Sequence, residues 1–64
     1  MADEPFELTV QITEPQAWAL AQFLKRAGWT EWRACAVDDD EAYRIREGCE
    51  RVREALAEAG VAPR

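Results

Sequence analysis

The stretch from Asp38 to Gly60, DDDEAYRIREGCERVREALAEAG, decides how the rest of this 64-residue chain must fold. Apolar residues recur in it at steps of three and four, which places them on one side of an α-helix. They are Ala42, Ile45, Cys49, Val52, Leu56 and Ala59. Asp38 is a favoured N-cap residue, and Gly60 is a typical stop signal. The stretch therefore predicts a helix over 39–59 with one face toward a core.

Acidic side chains occupy the other side of this predicted helix. At about 100° per residue, Asp40, Glu47 and Glu54 fall roughly opposite the apolar stripe. Residues 38–60 contain eight acids and four arginines, so −4 of the chain's net charge of −5 lies in this one element. The outward surface of the helix is therefore expected to be strongly negative.

Two interpretations of these acids stay open. In the first they form a solvated face that is partly neutralised by i,i+3 and i,i+4 ion pairs, each contributing about 0.2–0.5 kcal/mol. The pairs expected are Asp40 with Arg44, Glu47 with Arg51, and Glu50 with Arg53. In the second, the unbroken series Glu50, Glu54 and Glu58 forms a rod of like charges about 6 Å apart. That spacing is comparable with successive phosphates, so the rod could occupy a basic DNA channel of another protein.

The segment before the helices predicts a β-strand. In residues 6–12, FELTVQI, apolar and polar residues alternate as in a half-buried strand. A lone strand cannot satisfy its own backbone groups, so a second strand is expected. It is either Arg33–Val37 within the chain or the same segment of a second copy in a homodimer.

Two further helices are predicted between these elements. Thr13 and Gln16 form a capping box for a helix over 14–27, with Gly28 as a left-handed stop. Thr30 is expected to cap a short helix over 30–36, with a strand at Arg33–Val37 as the alternative. Trp29 and Trp32 are expected to close the core between the long helices. The predicted fold class is α+β, mostly α, in a single small acidic domain over 1–64.

Composition excludes most enzyme classes. The chain contains no His, Ser or Asn, which removes imidazole general bases, serine triads and the usual His-containing zinc sites. The acidic run Asp38–Asp40 lacks the alternate spacing and the glycine turn of a calcium loop. No catalytic residue, metal site or cofactor is therefore predicted, and we expect a protein that is not an enzyme.

Charge and cysteine usage indicate the kind of partner and compartment. A net charge of −5 repels phosphate backbones, so direct nucleic-acid binding is disfavoured and a protein with a basic surface is favoured. Neither an apolar leader nor a run of eighteen apolar residues is present, so no membrane partner is expected. The missing leader also points to the cytoplasm, where we expect Cys35 and Cys49 to be reduced.

The stretches LTVQITEPQAWALAQFLKRAGW (8–29) and AVDDDEAYRIREGCERVREALAEAG (36–60) carry a resemblance. The chain resembles small acidic proteins carried by proteobacterial phages and mobile elements, among them an anti-CRISPR protein directed at the type I-C system. The resemblance spans about residues 8–63 and rests on two capped helices without a catalytic signature. It therefore implies an inhibitor that binds the CRISPR surveillance (Cascade) complex and blocks target DNA, by imitating DNA phosphates.

On this hypothesis, a set of carboxylates meets Arg and Lys side chains of the partner, with two aromatic side chains at the rim. These residues are Asp38, Asp39, Asp40, Glu47, Glu50, Glu54 and Glu58, with Tyr43 and Trp18. The alternative is a small regulatory or structural module of a mobile element, dimeric through residues 6–12, whose acidic helix is merely solvated. A monomer whose partner binding weakens with added salt would favour DNA mimicry. An obligate dimer whose acidic face has no effect on partner binding would favour the module.

Overall fold

Three helices make up the regular structure of residues 4–63, the part of the chain that the computed structural model describes. They are α1 (Glu14–Arg26), α2 (Trp29–Cys35) and α3 (Asp39–Glu58). The ranges predicted from sequence are 14–27, 30–36 and 39–59, respectively. Both shorter helices pack against α3. The domain predicted over 1–64 also includes residues 1–3 and 64, which lie outside the described residues.

The predicted N-terminal strand is wrong, and with it the α+β class. Residues 6–12 belong to neither a helix nor a strand, and no sheet exists within residues 4–63. Their expected partner, Arg33–Val37, is not extended, because α2 continues to Cys35 and a bend follows over residues 36–38. Without a second strand, the N–H and C=O groups of residues 6–12 have no ladder to join. The described part of the chain is therefore all-α.

Side-chain caps define where the two long helices begin. The Gln16 N–H donates to Thr13 Oγ1 at 3.2 Å, and the Thr13 N–H donates to Gln16 Oε1 at 2.9 Å, which confirms the predicted capping box. At α3, the Glu41 N–H donates to Asp38 Oδ1 at 2.9 Å, which confirms Asp38 as the N-cap. Hydrogen bonds between residues three apart therefore fix where α1 and α3 begin.

Two of the predicted signals around α2 are wrong. Gly28 has φ −137° and is not a left-handed stop; it is the N-cap residue of α2, and its N–H donates to Glu31 Oε1 at 2.6 Å. Thr30 is the second residue of α2 rather than its cap. Gly60, in contrast, has φ +95°, so the predicted glycine stop of α3 is confirmed.

Two glycine substitutions should shift stability in opposite directions. Gly48 lies inside α3, and apart from the backbone of α3 itself a Cβ added there would face open space. Gly48→Ala should therefore raise the free energy of unfolding by about 0.5–1 kcal/mol. Gly60→Ala should lower it by roughly 1–2 kcal/mol, because an alanine is strained at φ +95°. Urea denaturation followed by circular dichroism measures both, and equal shifts of one sign would contradict the assignment.

The core is built from small residues. Four apolar side chains are buried among residues 4–63, namely Ala17, Ala21, Leu24 and Ala42. Alanines at helix contacts let helix axes approach closely, which explains how such short helices pack. The tryptophans contribute less than expected, since Trp32 is half-buried and Trp29 is 40% exposed. The predicted stripe of α3 also turns partly outward, because Val52 is 42% exposed.

Candidate functional site

The acidic face, defined as the seven candidate carboxylates, is exposed to solvent. It consists of Asp38 before α3 and of Asp39, Asp40, Glu47, Glu50, Glu54 and Glu58 along it, all of which are exposed. Four of them, Asp40, Glu47, Glu54 and Glu58, fall within about 40° of one another around the helix axis and extend along about 27 Å of it. One rigid helix thus presents a narrow row of carboxylates.

Two residues of the acidic face have structural partners. Asp38 caps α3, as described above, through its Oδ1. Asp39 Oδ1 accepts a hydrogen bond from Arg33 Nε at 2.6 Å, and Arg33 Nη1 also donates to the Ala36 carbonyl oxygen at 3.1 Å. This ion pair ties α2 to the first turn of α3. Asp38 and Asp39 therefore help to hold the structure together.

The ion pairs of the remaining carboxylates are not those predicted from the sequence. Glu50 accepts from Arg46 Nε at 3.1 Å, and Glu54 lies 4.0 Å from Arg51 Nη1. The three predicted pairs are not formed, because several arginines lie within reach of each acid and exposed pairs differ by less than about 1 kcal/mol. Among the described residues, no ion pair involves Asp40, Glu47 or Glu58.

The two aromatic candidates lie in different surroundings. Tyr43 is on α3 and 51% exposed, and its ring centroid lies 4.8 Å from that of Trp29 with the planes tilted by 46°. At about 100° per residue, Tyr43 falls between Glu50 and Glu47 around the helix, beside the row of carboxylates. Trp18 lies on α1, a different helix, and is 41% exposed. Tyr43 is thus joined to the acidic face through its own helix, whereas Trp18 is not.

Sequence reasoning missed Trp29 as a surface residue. Its exposed fraction of 40% and its contact with Tyr43 make an aromatic pair at the surface, next to the start of α2. A pattern of single residues does not reveal such a pair, because it joins two helices. An aromatic pair beside carboxylates suits the guanidinium of an arginine, which stacks on rings and pairs with carboxylates.

The described residues offer no constellation for metal or redox chemistry. No group of three His, Cys, Asp or Glu side chains within residues 4–63 is arranged to hold a metal ion. Cys35 is exposed and Cys49 is half-buried, and both are free thiols. None of the helices in this part of the chain has the length and apolar character needed to cross a bilayer. The surface chemistry of this part is that of charge and aromatic contact.

Comparison with known proteins identifies a family without an assigned activity. The whole chain, residues 1–64, matches the model described as "Family of unknown function (DUF7706)". Comparisons with curated proteins and with solved structures found no match. The family match carries no activity, partner or site residue to this chain.

Proposed function

This chain belongs to the DUF7706 family, whose function is unknown, and we propose from its own surface that it is a non-enzymatic inhibitor of a nucleic-acid-binding protein. In this proposal the acidic face binds the basic surface with which the partner holds DNA. The resemblance noted in the sequence narrows the partner to a type I-C CRISPR surveillance complex. The site of action is the cytoplasm of a bacterial cell, in keeping with two free thiols.

The observation that carries the proposal is the row of carboxylates on α3. Asp40, Glu47 and Glu58 are exposed and have no ion pair within residues 4–63, so their charges are available to a partner. Because a rigid helix fixes the spacing of these carboxylates, binding does not require the ordering of a flexible loop, which would cost free energy. Negative charges in a rigid row match the Arg and Lys groups of a DNA channel.

A specific observation favours a second candidate function, the dimeric interaction module. The apolar side chains of residues 6–12 are exposed, which is typical of a surface that another protein covers. In this candidate the acidic face only keeps the protein in solution. The two functions differ in whether the acidic face blocks DNA binding by a partner.

The test is a gel shift of purified type I-C surveillance complex on a duplex that contains the protospacer-adjacent motif. Adding this protein in molar excess should abolish the shifted band. Binding of the protein to the complex, measured without DNA, should weaken by at least tenfold between about 50 and 300 mM salt, because exposed charge pairs are screened. Measuring without DNA separates this effect from the complex's own salt-sensitive hold on DNA.

An unchanged band at the lowest salt would contradict the inhibitor. If the protein binds the complex but the affinity does not change with salt, the acidic face is not the contact surface. In that case the dimeric module becomes the better explanation.

A further inference from the structure

Trp29 and Tyr43 form an aromatic surface that is not closed into the core. Their ring centroids lie 4.8 Å apart, and their planes are tilted by 46°. Trp29 is 40% exposed and Tyr43 is 51% exposed, so this contact between α2 and α3 leaves part of both side chains open to solvent. Aromatic side chains are enriched where proteins bind one another. The pair is therefore a candidate anchor point for a partner.

Two carboxylates flank Tyr43 along α3. Asp40 lies three residues before Tyr43 and Glu47 four residues after it, so each has its Cβ about 5–6 Å from that of Tyr43. At about 100° per residue, both fall on the same side of Tyr43, and Asp39 falls on the other side. Because Arg33 of α2 pairs with Asp39, α2 lies on that other side. Tyr43 therefore stands between α2 and the two flanking carboxylates.

The arginines of α3 nearest to Tyr43 do not neutralise these carboxylates. Arg46, three residues after Tyr43, donates to Glu50 at 3.1 Å. Arg44 lies within helical reach of both flanking carboxylates, but it forms no ion pair with either of them among the described residues. The aromatic pair and two negative charges thus lie together without an ion-paired cation within residues 4–63.

We propose that Trp29, Tyr43, Asp40 and Glu47 form a binding site for an arginine side chain of the protein partner. A guanidinium is planar and carries five N–H donors, so its face stacks on an aromatic ring while its edge donates to carboxylates. This inference deepens the proposed function and rests on it for the identity of the partner. The site itself depends only on α2 and α3, so it is tested without that partner.

The chemistry of the site favours arginine over other occupants of an aromatic surface. An apolar side chain would leave Asp40 and Glu47 without a partner in the interface, which costs free energy. A nucleic-acid base would bring negative phosphates next to them. A lysine ammonium is a compact, strongly hydrated charge that neither stacks as a plane nor pairs with a carboxylate through two parallel hydrogen bonds. Arginine satisfies the rings and the carboxylates together.

Binding of two peptides of equal charge tests the site. Acetylated hexa-arginine and hexa-lysine are each titrated into the ¹⁵N-labelled full chain at low salt, and binding is followed by NMR. Hexa-arginine should bind roughly twofold to fivefold more tightly, because only the guanidinium stacks as a plane on the rings. The indole N–H signal of Trp29 should shift more than those of Trp18 and Trp32, which locates the preference at the aromatic pair.

Variants at Tyr43 separate stacking from charge. Tyr43→Leu removes the ring and keeps every carboxylate, so it should abolish most of the preference for hexa-arginine, whereas Tyr43→Phe should retain it. The matched control is Trp18→Leu, since Trp18 is 41% exposed and lies on α1; it should also retain the preference. Because Tyr43 is 51% exposed, Tyr43→Leu should keep the helices folded, which circular dichroism verifies.

Equal affinity of the wild type for the two peptides overturns the arginine site, and so does a larger shift at Trp18 than at Trp29. A preference that survives Tyr43→Leu, or that Trp18→Leu reduces equally, also overturns it, because the effect would then not belong to this pair. The gel shift judges the inhibitor separately. A preference for arginine with an unchanged band supports the site and contradicts the inhibitor, whereas a lost band without the preference does the reverse.

Discussion

Replacing Ala42 with leucine is expected to lower the free energy of unfolding by about 1–3 kcal/mol. Ala42 is the most buried residue described, with no exposed surface, and it lies on the helix against which α1 and α2 pack. A leucine needs space that closely packed alanine contacts do not leave, so helices must separate or side chains must strain. A core of this size supplies no more than about 3–5 kcal/mol, so a large part of the stability would be lost.

Thermal unfolding followed by circular dichroism measures this effect. The midpoint should fall by roughly 4–8 °C for each kcal/mol lost in a domain of this size. The matched control is Ala57→Leu, the same change at an exposed position of the same helix, which should stay within about 0.5 kcal/mol of the wild type. All three proteins are compared at one concentration, because any self-association would add to the apparent stability. Equal midpoints for the two variants would show that a leucine fits at position 42 without strain.

If the protein acts as the proposed inhibitor, neutralising Asp40, Glu47 and Glu58 together is expected to weaken inhibition of the surveillance complex by roughly threefold to a hundredfold. Each exposed charge pair contributes about 0.2–1 kcal/mol, and three act in the same row. The variant combines Asp40→Asn, Glu47→Gln and Glu58→Gln. These residues have no ion pair within residues 4–63, so their removal breaks none of the described contacts. The gel shift of the complex on its target duplex, titrated with the variant, measures the loss.

A control with the same net charge separates the row from overall charge. Asp3→Asn, Glu4→Gln and Glu14→Gln change three acids that lie outside both the acidic face and residues 6–12. Both triple variants carry −2, since three of the five net negative charges are removed. If the control weakens inhibition as much as the test variant, overall charge attracts the partner and the row on α3 has no special role. If neither weakens it, the acidic face is not the inhibitory surface.

Local signals in the sequence were sufficient where the deciding contacts are near in the chain. Thr13 with Gln16, and Asp38 with Glu41, are three residues apart, so the caps of both long helices could be predicted. The periodic acids on α3 placed Asp40, Glu47 and Glu58 on an exposed side for the same reason. The signals at Gly28 and Thr30 were misassigned, because a glycine fits both the end of one helix and the start of the next.

Contacts between distant residues could not be predicted in the same way. Alternation in residues 6–12 satisfies the pattern of a strand, but a strand also needs a partner, and α2 occupies the residues that were expected to supply one. The pairing of Arg33 with Asp39 and of Trp29 with Tyr43 depends on how α2 lies against α3. Glu50 pairs with Arg46, although other arginines are within reach. Because exposed ion pairs differ little in free energy, a sequence pattern does not predict which of them forms.

By itself, then, the sequence determined three helical regions, the caps of α1 and α3, and the exposed acids of α3. It also determined the lack of His and Ser chemistry. These features follow from residue type and from neighbours within one or two turns. Tertiary structure alone decided that residues 6–12 have no strand partner within residues 4–63, that Ala42 is buried while Val52 is largely uncovered, and which carboxylates keep free charges. The physical reason is that burial and pairing are settled between elements, where the packing of one helix decides which groups of another remain open to solvent.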